Sequence, residues 1–203
     1  MITDDLLKKY PIISDQVEER ELRTLLSLLE EQLRRGVVGS VVEFGCYVGT
    51  TSLFIRRLLD MFDADVPFHV YDSFAGLPSK VQQDESPLGV QFVEGELRAT
   101  KRQFYDNFKK AGLVAPVIHK TWFGDVTSRD VPEHVTFAFL DGDYYESIRD
   151  SLHAIEPHLA AGAIIVVDDY TNEALPGAAR ATDEWLATHP HTLRVQSTLA
   201  VIR

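Results

Sequence analysis

Two continuous apolar runs constrain the fold of this chain most strongly. Val135–Leu140 and the run 163–167 are apolar at nearly every position and rich in β-branched or aromatic residues. Such runs are typical of strands that are buried on both faces, as in parallel sheets covered by helices. Because longer stretches with helical spacing alternate with the short runs, the sequence predicts an α/β fold with a mostly parallel sheet.

The other elements follow from the same periodicity. Leucines at 22, 25, 26, 28, 29 and 33 share one face of a predicted helix over 17–35, which Gly36 and Gly39 end. The other predicted helices cover 51–61, 97–111, 145–159 and 178–188, and Gly162 is expected to stop the third of these. The predicted strands cover 40–44, 68–71, 116–120, 135–140 and 163–167, and 192–196 with 198–202 forms a candidate terminal hairpin.

Length and charge limit the partners. The chain has 203 residues, which suits one domain, here 1–203, with residues 1–36 as an N-terminal helical segment. A net charge of −11 argues against nucleic acid and anionic membranes as partners. No apolar run reaches the roughly 20 residues that cross a bilayer, and the N-terminus does not resemble a secretory signal. The single cysteine, Cys46, fits a reducing compartment, so we expect a cytoplasmic protein.

A glycine-bearing loop follows the first predicted strand. Its sequence has Glu43 where a dinucleotide-binding fingerprint would start with glycine, and the later spacing of Gly45 and Gly49 also differs from that fingerprint. A carboxylate at this place would repel a pyrophosphate but suits a ligand with an ammonium or sulfonium group. A tight strand–helix turn without a ligand is the alternative interpretation.

The second predicted strand ends at an acidic residue, Asp72. An acid at this place can accept the ribose hydroxyls of a nucleotide cofactor, although a turn or capping role explains it equally well. The segment 73–95 that follows is rich in Gly, Pro, Ser and acids. Long loops of this kind are usually functional, so we expect it to act as a lid.

Aspartates follow the two apolar runs directly. Asp141 comes after the fourth predicted strand, and Asp168 with Asp169 comes after the fifth. If these strands are neighbours, about 4.8 Å apart, the three carboxylates converge and need a cation. Oxygen ligands favour Mg²⁺, with Mn²⁺ or Ca²⁺ as alternatives. Asp143 competes with Asp141 for this role but lies further from the strand end, and capping or turn roles are the structural alternative.

With these motifs, the chain resembles the macrocin (TylF-type) O-methyltransferase family. The matching pieces run from the glycine loop through Tyr71–Pro78 and Trp122–Asp125 to Asp141-Gly-Asp143 and Asp168-Asp169. The glycine loop is also similar to that of catechol O-methyltransferase, a more distant relative. The resemblance implies a single-domain, Rossmann-like class I methyltransferase fold with a seven-stranded sheet. It also implies transfer of a methyl group from S-adenosylmethionine to a hydroxyl of a small natural-product acceptor, such as a sugar or another vicinal diol.

The resemblance assigns roles by position. The residues expected to contact the cofactor are Glu43, Gly45, Tyr47, Gly49, Thr51, Asp72, Ser73, Trp122 and Asp141. Thr51 would hold the carboxylate of the cofactor and Asp72 the ribose. From their position at the end of the third predicted strand, Trp122 and Phe123 are candidates for stacking on the adenine, and packing in the core or at its rim is the alternative. Asp141, Asp168 and Asp169 would bind Mg²⁺, and the family leans toward homo-oligomers.

The general base departs from the relatives. Tyr144 stands where catechol enzymes carry a lysine, and a late histidine of the family is matched only by His189 or His191. The candidate catalytic residues are therefore Asp141, Tyr144 and His191. Two other functions fit the same scaffold, namely a metal-dependent hydroxylase or hydrolase and a non-catalytic binding protein. Aspartate ligands argue against the first, since redox iron usually has histidine ligands, and the retained aspartates argue against the second.

Overall fold

A computed structural model describes residues 1–37, 39–63 and 65–203 of the chain. One seven-stranded sheet forms its centre, in the order β3-β2-β1-β4-β5-β7-β6. The strands are β1 (Ser40–Phe44), β2 (Phe68–Asp72), β3 (Val117–Lys120), β4 (Val135–Leu140), β5 (Leu159–Val167), β6 (Leu193–Gln196) and β7 (Leu199–Ile202). The first five are parallel, and β7 runs antiparallel to both β5 and β6. The predicted mostly parallel sheet with a C-terminal hairpin is confirmed.

Six helices accompany the sheet in the described residues. They are α1 (Ile2–Lys9), α2 (Glu19–Arg34), α3 (Thr50–Met61), α4 (Lys101–Ala111), α5 (Tyr145–Ile155) and α6 (Pro176–Leu186). The leucines of α2 pack with α3 and one face of the sheet, while α5 and α6 pack on the other face. The side-chain amide of Gln32 donates to the carbonyls of Thr136 in β4 and Gly162 in β5, so α2 covers the sheet. No described helix combines the length and apolar character that a membrane span requires.

The N-terminal helix α1 was not predicted as a separate element. It is held by Glu30 of α2, which accepts hydrogen bonds from the backbone N–H of Thr3 at 3.0 Å and from its hydroxyl at 2.8 Å. These bonds and that from Arg34 outweigh the effect of burial and lower the pKa of Glu30 to about 2. A buried carboxylate therefore docks α1 on α2.

The end of α5 was predicted wrongly. The helix stops at Ile155, a single 3-10 turn covers Glu156–His158, and β5 begins at Leu159. Gly162 therefore lies inside β5, with a φ of +76°, and is not a helix stop. The physical reason is Pro157, because a proline ring clashes with the carbonyl four residues earlier and lacks an N–H. Similarly, α4 begins at Lys101 and not at 97, since Thr100 and Gln103 form a reciprocal capping box.

Candidate active site

A cavity of about 310 Å³ lies at the carboxyl ends of the parallel strands. Its floor is formed by residues that directly follow β1, β2, β4 and β5, and Trp122 lines it beyond β3. The segment before α2 and parts of the segment 73–97 cover it. Ligands of open α/β sheets bind at this place, because the helices and loops on either side of the sheet leave a crevice there.

Glu43, at the end of β1, is a fully buried carboxyl in the wall of this cavity. The hydroxyl of Ser52 in α3 donates a hydrogen bond to its Oε2 at 2.5 Å, and its Oε1 has no hydrogen-bond partner in the described part of the chain. Burial raises the pKa of Glu43 to about 8, and the charge of Asp72 adds to the rise while the Ser52 bond opposes it. A buried acceptor without a partner is rare and calls for a donor from outside the chain.

The glycine loop passes directly against the end of β4. Gly45 has a φ of +88°, and a Cβ at this position would lie 1.8 Å from the carbonyl oxygen of Asp141. Only glycine fits at position 45, because a side chain there would push the loop away from β4, and the loop would no longer form this part of the cavity wall. Gly49, also at φ +88°, then leads into α3, whose first turn places Thr51 in the lining. Tyr47 lies between the two glycines and lines the cavity as well.

Asp72, at the end of β2, fixes the same loop. Its Oδ2 accepts the backbone N–H of Cys46 at 2.9 Å and that of Tyr47 at 3.2 Å, while Oδ1 accepts the N–H of Phe74 at 2.6 Å. A carboxylate offers about four lone-pair directions, so Oδ1 retains one for an additional donor. Asp72 and its neighbour Ser73 both line the cavity.

Cys46 is not an activated nucleophile. Burial raises the pKa of its thiol, and the charge of Asp72, whose Oδ2 lies 3.3 Å from Sγ, raises it further. A thiol becomes reactive when its pKa is lowered by cationic neighbours, and the opposite holds here. The side chain acts as a small packed group between the glycine loop and β2.

The aspartates that follow β4 and β5 lie at the same edge of the sheet, because these strands are neighbours with Leu140 opposite Val167. The backbone hydrogen bonds of the sheet continue one residue beyond the ends of β4 and β5. The N–H of Asp141 donates to the carbonyl of Phe44, and the N–H of Asp168 donates to the carbonyl of Leu140. One carboxylate oxygen each of Asp141, Asp143 and Asp169 lie within 4.8 Å of one another. Asp143, which the sequence placed second to Asp141, is thus part of the gathered cluster.

Asp168 has a different local role from its neighbours. Its Oδ1 accepts the backbone N–H of Asp169 at 2.9 Å, and the side-chain amide of Asn172 donates to Asp169 at 2.8 Å. All four aspartates line the cavity, and burial raises the pKa of each above its usual range. Repulsion by neighbouring aspartates adds to the rise for Asp141, Asp143 and Asp168, whereas for Asp169 the hydrogen bond from Asn172 opposes the rise and the charge of Glu21 adds to it. Buried carboxylates of this kind are relieved by a divalent cation, and an all-oxygen donor set fits Mg²⁺.

Two of the predicted catalytic residues do not reach the cavity. Tyr144 is 1% exposed, and its ring packs with Leu77 and Leu175 in a separate apolar cluster. His191 stacks on Trp185 and precedes β6. Because β6 begins opposite Ile202, His191 lies at the end of the sheet away from Asp168. Neither side chain is in the cavity wall of this structure. His189 is likewise held elsewhere, by Glu156 and the carbonyl of Trp185.

Sequence reasoning missed the acids that cover the cavity. Asp15 and Glu18 precede α2, and Glu21 lies in its first turn, and all three line the cavity. Glu21 also accepts a hydrogen bond from the hydroxyl of Thr198 in the terminal hairpin. The sequence signal for these acids was the polar face of α2, but the polar face of a helix usually contacts solvent. Its proximity to the aspartates depends on the packing of α2 across the sheet, which no local pattern shows.

Comparison with known proteins identifies the family. The model of the macrocin O-methyltransferase (TylF) family matches residues 11–198 of this chain. The chain belongs to the macrocin O-methyltransferase family. Proteins similar to this chain include the mycinamicin III 3''-O-methyltransferase of Micromonospora griseorubida, 29% identical over 190 residues that make up 89% of this chain and 73% of the relative. Another is the 8-demethyl-8-(2,3-dimethoxy-alpha-L-rhamnosyl)-tetracenomycin-C 4'-O-methyltransferase of Streptomyces olivaceus, 31% identical over 76% of this chain and 62% of the relative.

Solved structures confirm the Rossmann-like methyltransferase fold. The O-methyltransferase NovP superimposes with a TM-score of 0.78 at 24% identity, over 91% of this chain and 79% of NovP. The calicheamicin methyltransferase CalS11 superimposes with a TM-score of 0.75 at 20% identity, over the whole of this chain and 90% of CalS11. As a member of the macrocin O-methyltransferase family, this chain has a Rossmann-like methyltransferase fold.

Proposed function

We propose that this chain transfers a methyl group from S-adenosylmethionine to a hydroxyl of a small natural-product acceptor, a sugar or another vicinal diol, with the help of Mg²⁺. The observation that carries the proposal is the pairing of two features in one cavity. The unpartnered Oε1 of Glu43 fits a cationic donor, and four partly buried aspartates fit a divalent cation. Membership of the macrocin O-methyltransferase family supports the same reaction.

The residues that would hold S-adenosylmethionine come from three loops. When bound, the cofactor supplies an electrophilic methyl group on sulfur. Glu43 accepts from the ammonium or faces the sulfonium, Thr51 binds the carboxylate at the N-terminus of α3, and Asp72 accepts a ribose hydroxyl on its remaining lone pair. Tyr47 and Ser73 border the methionine and ribose parts, and Trp122, which is 43% exposed, offers a ring for the adenine.

Asp141, Asp168 and Asp169 would hold the cation, with Asp143 beside them. When bound, a divalent cation supplies positive charge that favours the ionised form of an acceptor hydroxyl. Lysine and histidine are absent from the described cavity wall, so the proton acceptor is a carboxylate. We assign this role to Asp141, because its carboxylate lies in the cavity wall directly after β4.

The names of the relatives support a sugar-bearing acceptor. The Micromonospora enzyme acts on mycinamicin III, and the Streptomyces olivaceus enzyme acts on a rhamnosyl tetracenomycin. CalS11, whose fold is similar, is a TDP-rhamnose 3'-O-methyltransferase. For this chain we therefore propose a hydroxyl on a sugar, either still attached to a nucleotide or already transferred to another molecule.

A methyl-transfer assay tests the proposed function. Purified protein is incubated with S-adenosylmethionine labelled in the methyl carbon, Mg²⁺ and a panel of glycosides and diols, and labelled ether products are detected by mass spectrometry. We expect transfer by the unmodified chain, loss of at least about 99% of turnover in Asp169→Asn, and turnover within about twofold in His191→Ala. Transfer that survives in Asp169→Asn would contradict the metal-assisted mechanism.

A further inference from the structure

A row of three stacked rings crosses the sheet behind the wall of the cavity. Phe44 in β1 lies opposite Tyr71 in β2, which lies opposite His119 in β3. The ring centroids of Phe44 and Tyr71 are 4.3 Å apart with an angle of 13° between the planes, and those of Tyr71 and His119 are 4.4 Å apart at 11°. We call these three residues the ring row. None of them is in the cavity wall of the described chain, so the ring row itself would touch no ligand.

The ring row supports the turn that follows β3. Phe123 begins the 3-10 turn Phe123–Asp125, and its ring stands edge-on to that of Phe44, with centroids 5.2 Å apart and planes at 82°. The same ring lies against Gly142 after β4, where an added Cβ would be 3.3 Å from it. Phe123 and its neighbour Trp122 both line the cavity. Phe123 therefore connects the ring row to the cavity wall.

Tyr71 also holds the far end of the loop that contains this turn. Its hydroxyl donates a hydrogen bond of 2.7 Å to the carbonyl of Asp130. The carboxylate of Asp130 in turn accepts the N–H of Thr127 at 2.9 Å and its hydroxyl at 2.7 Å, which closes the chain into a turn. Because Tyr71 is fully buried and stacks on Phe44, one side chain supports both ends of the loop 121–134.

His119 ends the ring row at the edge strand of the sheet. Its Nε2 lies 3.0 Å from Nδ1 of His69, so the two imidazoles share a hydrogen bond. Burial lowers the pKa of both histidines, which favours neutral rings, and a neutral imidazole has a nitrogen that can accept such a bond. The bond fixes the plane of the His119 ring against that of Tyr71.

We propose that Tyr71 and His119 are positioning residues that hold the turn after β3 in place. Through this turn they set the position of Trp122, whose ring would contact the adenine of the cofactor. The proposal rests on the proposed function for the identity of the ligand, but it concerns two side chains that lie behind the wall. Loss of a stacked ring or of a buried hydrogen bond would let the turn leave its place, and a ligand that needs the turn would bind more weakly.

The fluorescence of Trp122 reports on the turn without any ligand. The chain has two tryptophans, and Trp185→Phe, outside the cavity wall, leaves Trp122 as the only one. In this background, Tyr71→Phe and His119→Leu should each raise the acrylamide quenching constant about 1.5-fold or more, because the turn loses support. His119→Phe keeps a ring for the stack and should match the background protein. Unchanged quenching in Tyr71→Phe, or equal quenching in His119→Leu and His119→Phe, would overturn the proposal.

A matched control separates the loop bond from the general loss of a hydroxyl. Tyr145→Phe also removes a tyrosine hydroxyl that forms a hydrogen bond, in this case to Glu184, and neither residue is in the cavity wall of the described chain. The quenching of Trp122 should stay at the background value in this variant. An increase as large as that in Tyr71→Phe would contradict a specific role of Tyr71.

Calorimetric titration with S-adenosylhomocysteine connects the turn to the cofactor. We expect the Kd to rise about 3- to 10-fold in Tyr71→Phe and His119→Leu, and to stay within about twofold in His119→Phe and Tyr145→Phe. Full affinity in both Tyr71→Phe and His119→Leu would overturn the proposal. Absence of binding to the unmodified chain would instead refute the proposed function, while the quenching of Trp122 still decides whether the ring row positions the turn.

Discussion

The hydroxyl of Ser52 donates a 2.5 Å hydrogen bond to Oε2 of Glu43, and this bond fixes a buried carboxyl whose other oxygen is left without a partner in the described residues. Ser52 lies in the first turns of α3 and Glu43 at the end of β1, so the two elements on either side of the glycine loop hold the group jointly. The arrangement presents an acceptor to the cavity in one orientation.

Replacement of Glu43 should weaken cofactor binding. Glu43→Gln keeps the shape of the side chain but removes the charge that a cationic donor of the cofactor would meet, so we expect the affinity for S-adenosylmethionine to fall about tenfold or more. Calorimetric titration measures this change. Glu31→Gln, a partly exposed position on α2 that pairs with Arg203, is the control and should bind the cofactor as the unmodified chain does. Unchanged affinity in Glu43→Gln would remove this residue from the cofactor site.

The stability of the cofactor-free protein should fall with rising pH. The pKa of Glu43 is raised from 4.5 to about 8 in the folded state, so the folded chain keeps a proton that the unfolded chain loses. The stabilisation is therefore complete below about pH 4.5 and is lost as the pH rises through about 8. Thermal unfolding without divalent cations should show a falling Tm over this window. The fall should be shallower in Glu43→Gln, and equal slopes would show that Glu43 titrates normally.

The buried carboxylate of Asp84 should anchor the segment over the cavity. Its Oδ1 accepts the N–H of Tyr145 at the start of α5 at 2.7 Å, and a Cβ on Gly177 in α6 would lie 1.8 Å from the same oxygen. Asp84→Ala leaves buried N–H groups unsatisfied, so the free energy of unfolding should fall by about 2–3 kcal/mol in urea titrations. Glu85→Ala, exposed beside it, should change it by less than about 0.5 kcal/mol. A similar small change in Asp84→Ala would mean that the segment is held elsewhere.

Two aspartates should be indispensable for Mg²⁺ binding. Asp141 and Asp169 belong both to the trio that the sequence predicts and to the cluster whose oxygens lie within 4.8 Å of one another. Replacing either by Asn should lower the Mg²⁺ affinity about 10- to 100-fold in titrations, whereas Asp125→Asn, which lies outside the cavity wall, should leave it unaltered. Full affinity in both variants would contradict the proposed metal site. Comparison of Asp143→Asn with Asp168→Asn identifies the third ligand.

Periodicity predicted the sheet because burial on both faces leaves a signature that does not depend on tertiary contacts. The apolar runs of β4 and β5, and the aspartates that follow them, are local features, and parallel pairing alone brings them together. Helix ends were less accurate. Pro157 moved the end of α5, and the capping pair of Thr100 and Gln103 set the start of α4, both of which are local signals that apolar spacing does not contain.

The parts of the site that sequence patterns did not predict depend on distant packing. The approach of Asp15, Glu18 and Glu21 to the cavity follows from the docking of α2 across the sheet. The position of His191 at the opposite end of the sheet follows from the direction of β6, which runs antiparallel to β7. The spacing of residues along the chain shows neither of these relationships.

Titration of the unmodified protein with S-adenosylhomocysteine, with and without Mg²⁺, is the decisive measurement for the cofactor site. We expect micromolar binding, because the glycine loop, Glu43 and Asp72 already form a shaped wall with an unpartnered acceptor in the described residues. Absence of binding under both conditions would contradict the assignment of this cavity to a methyl-donor cofactor.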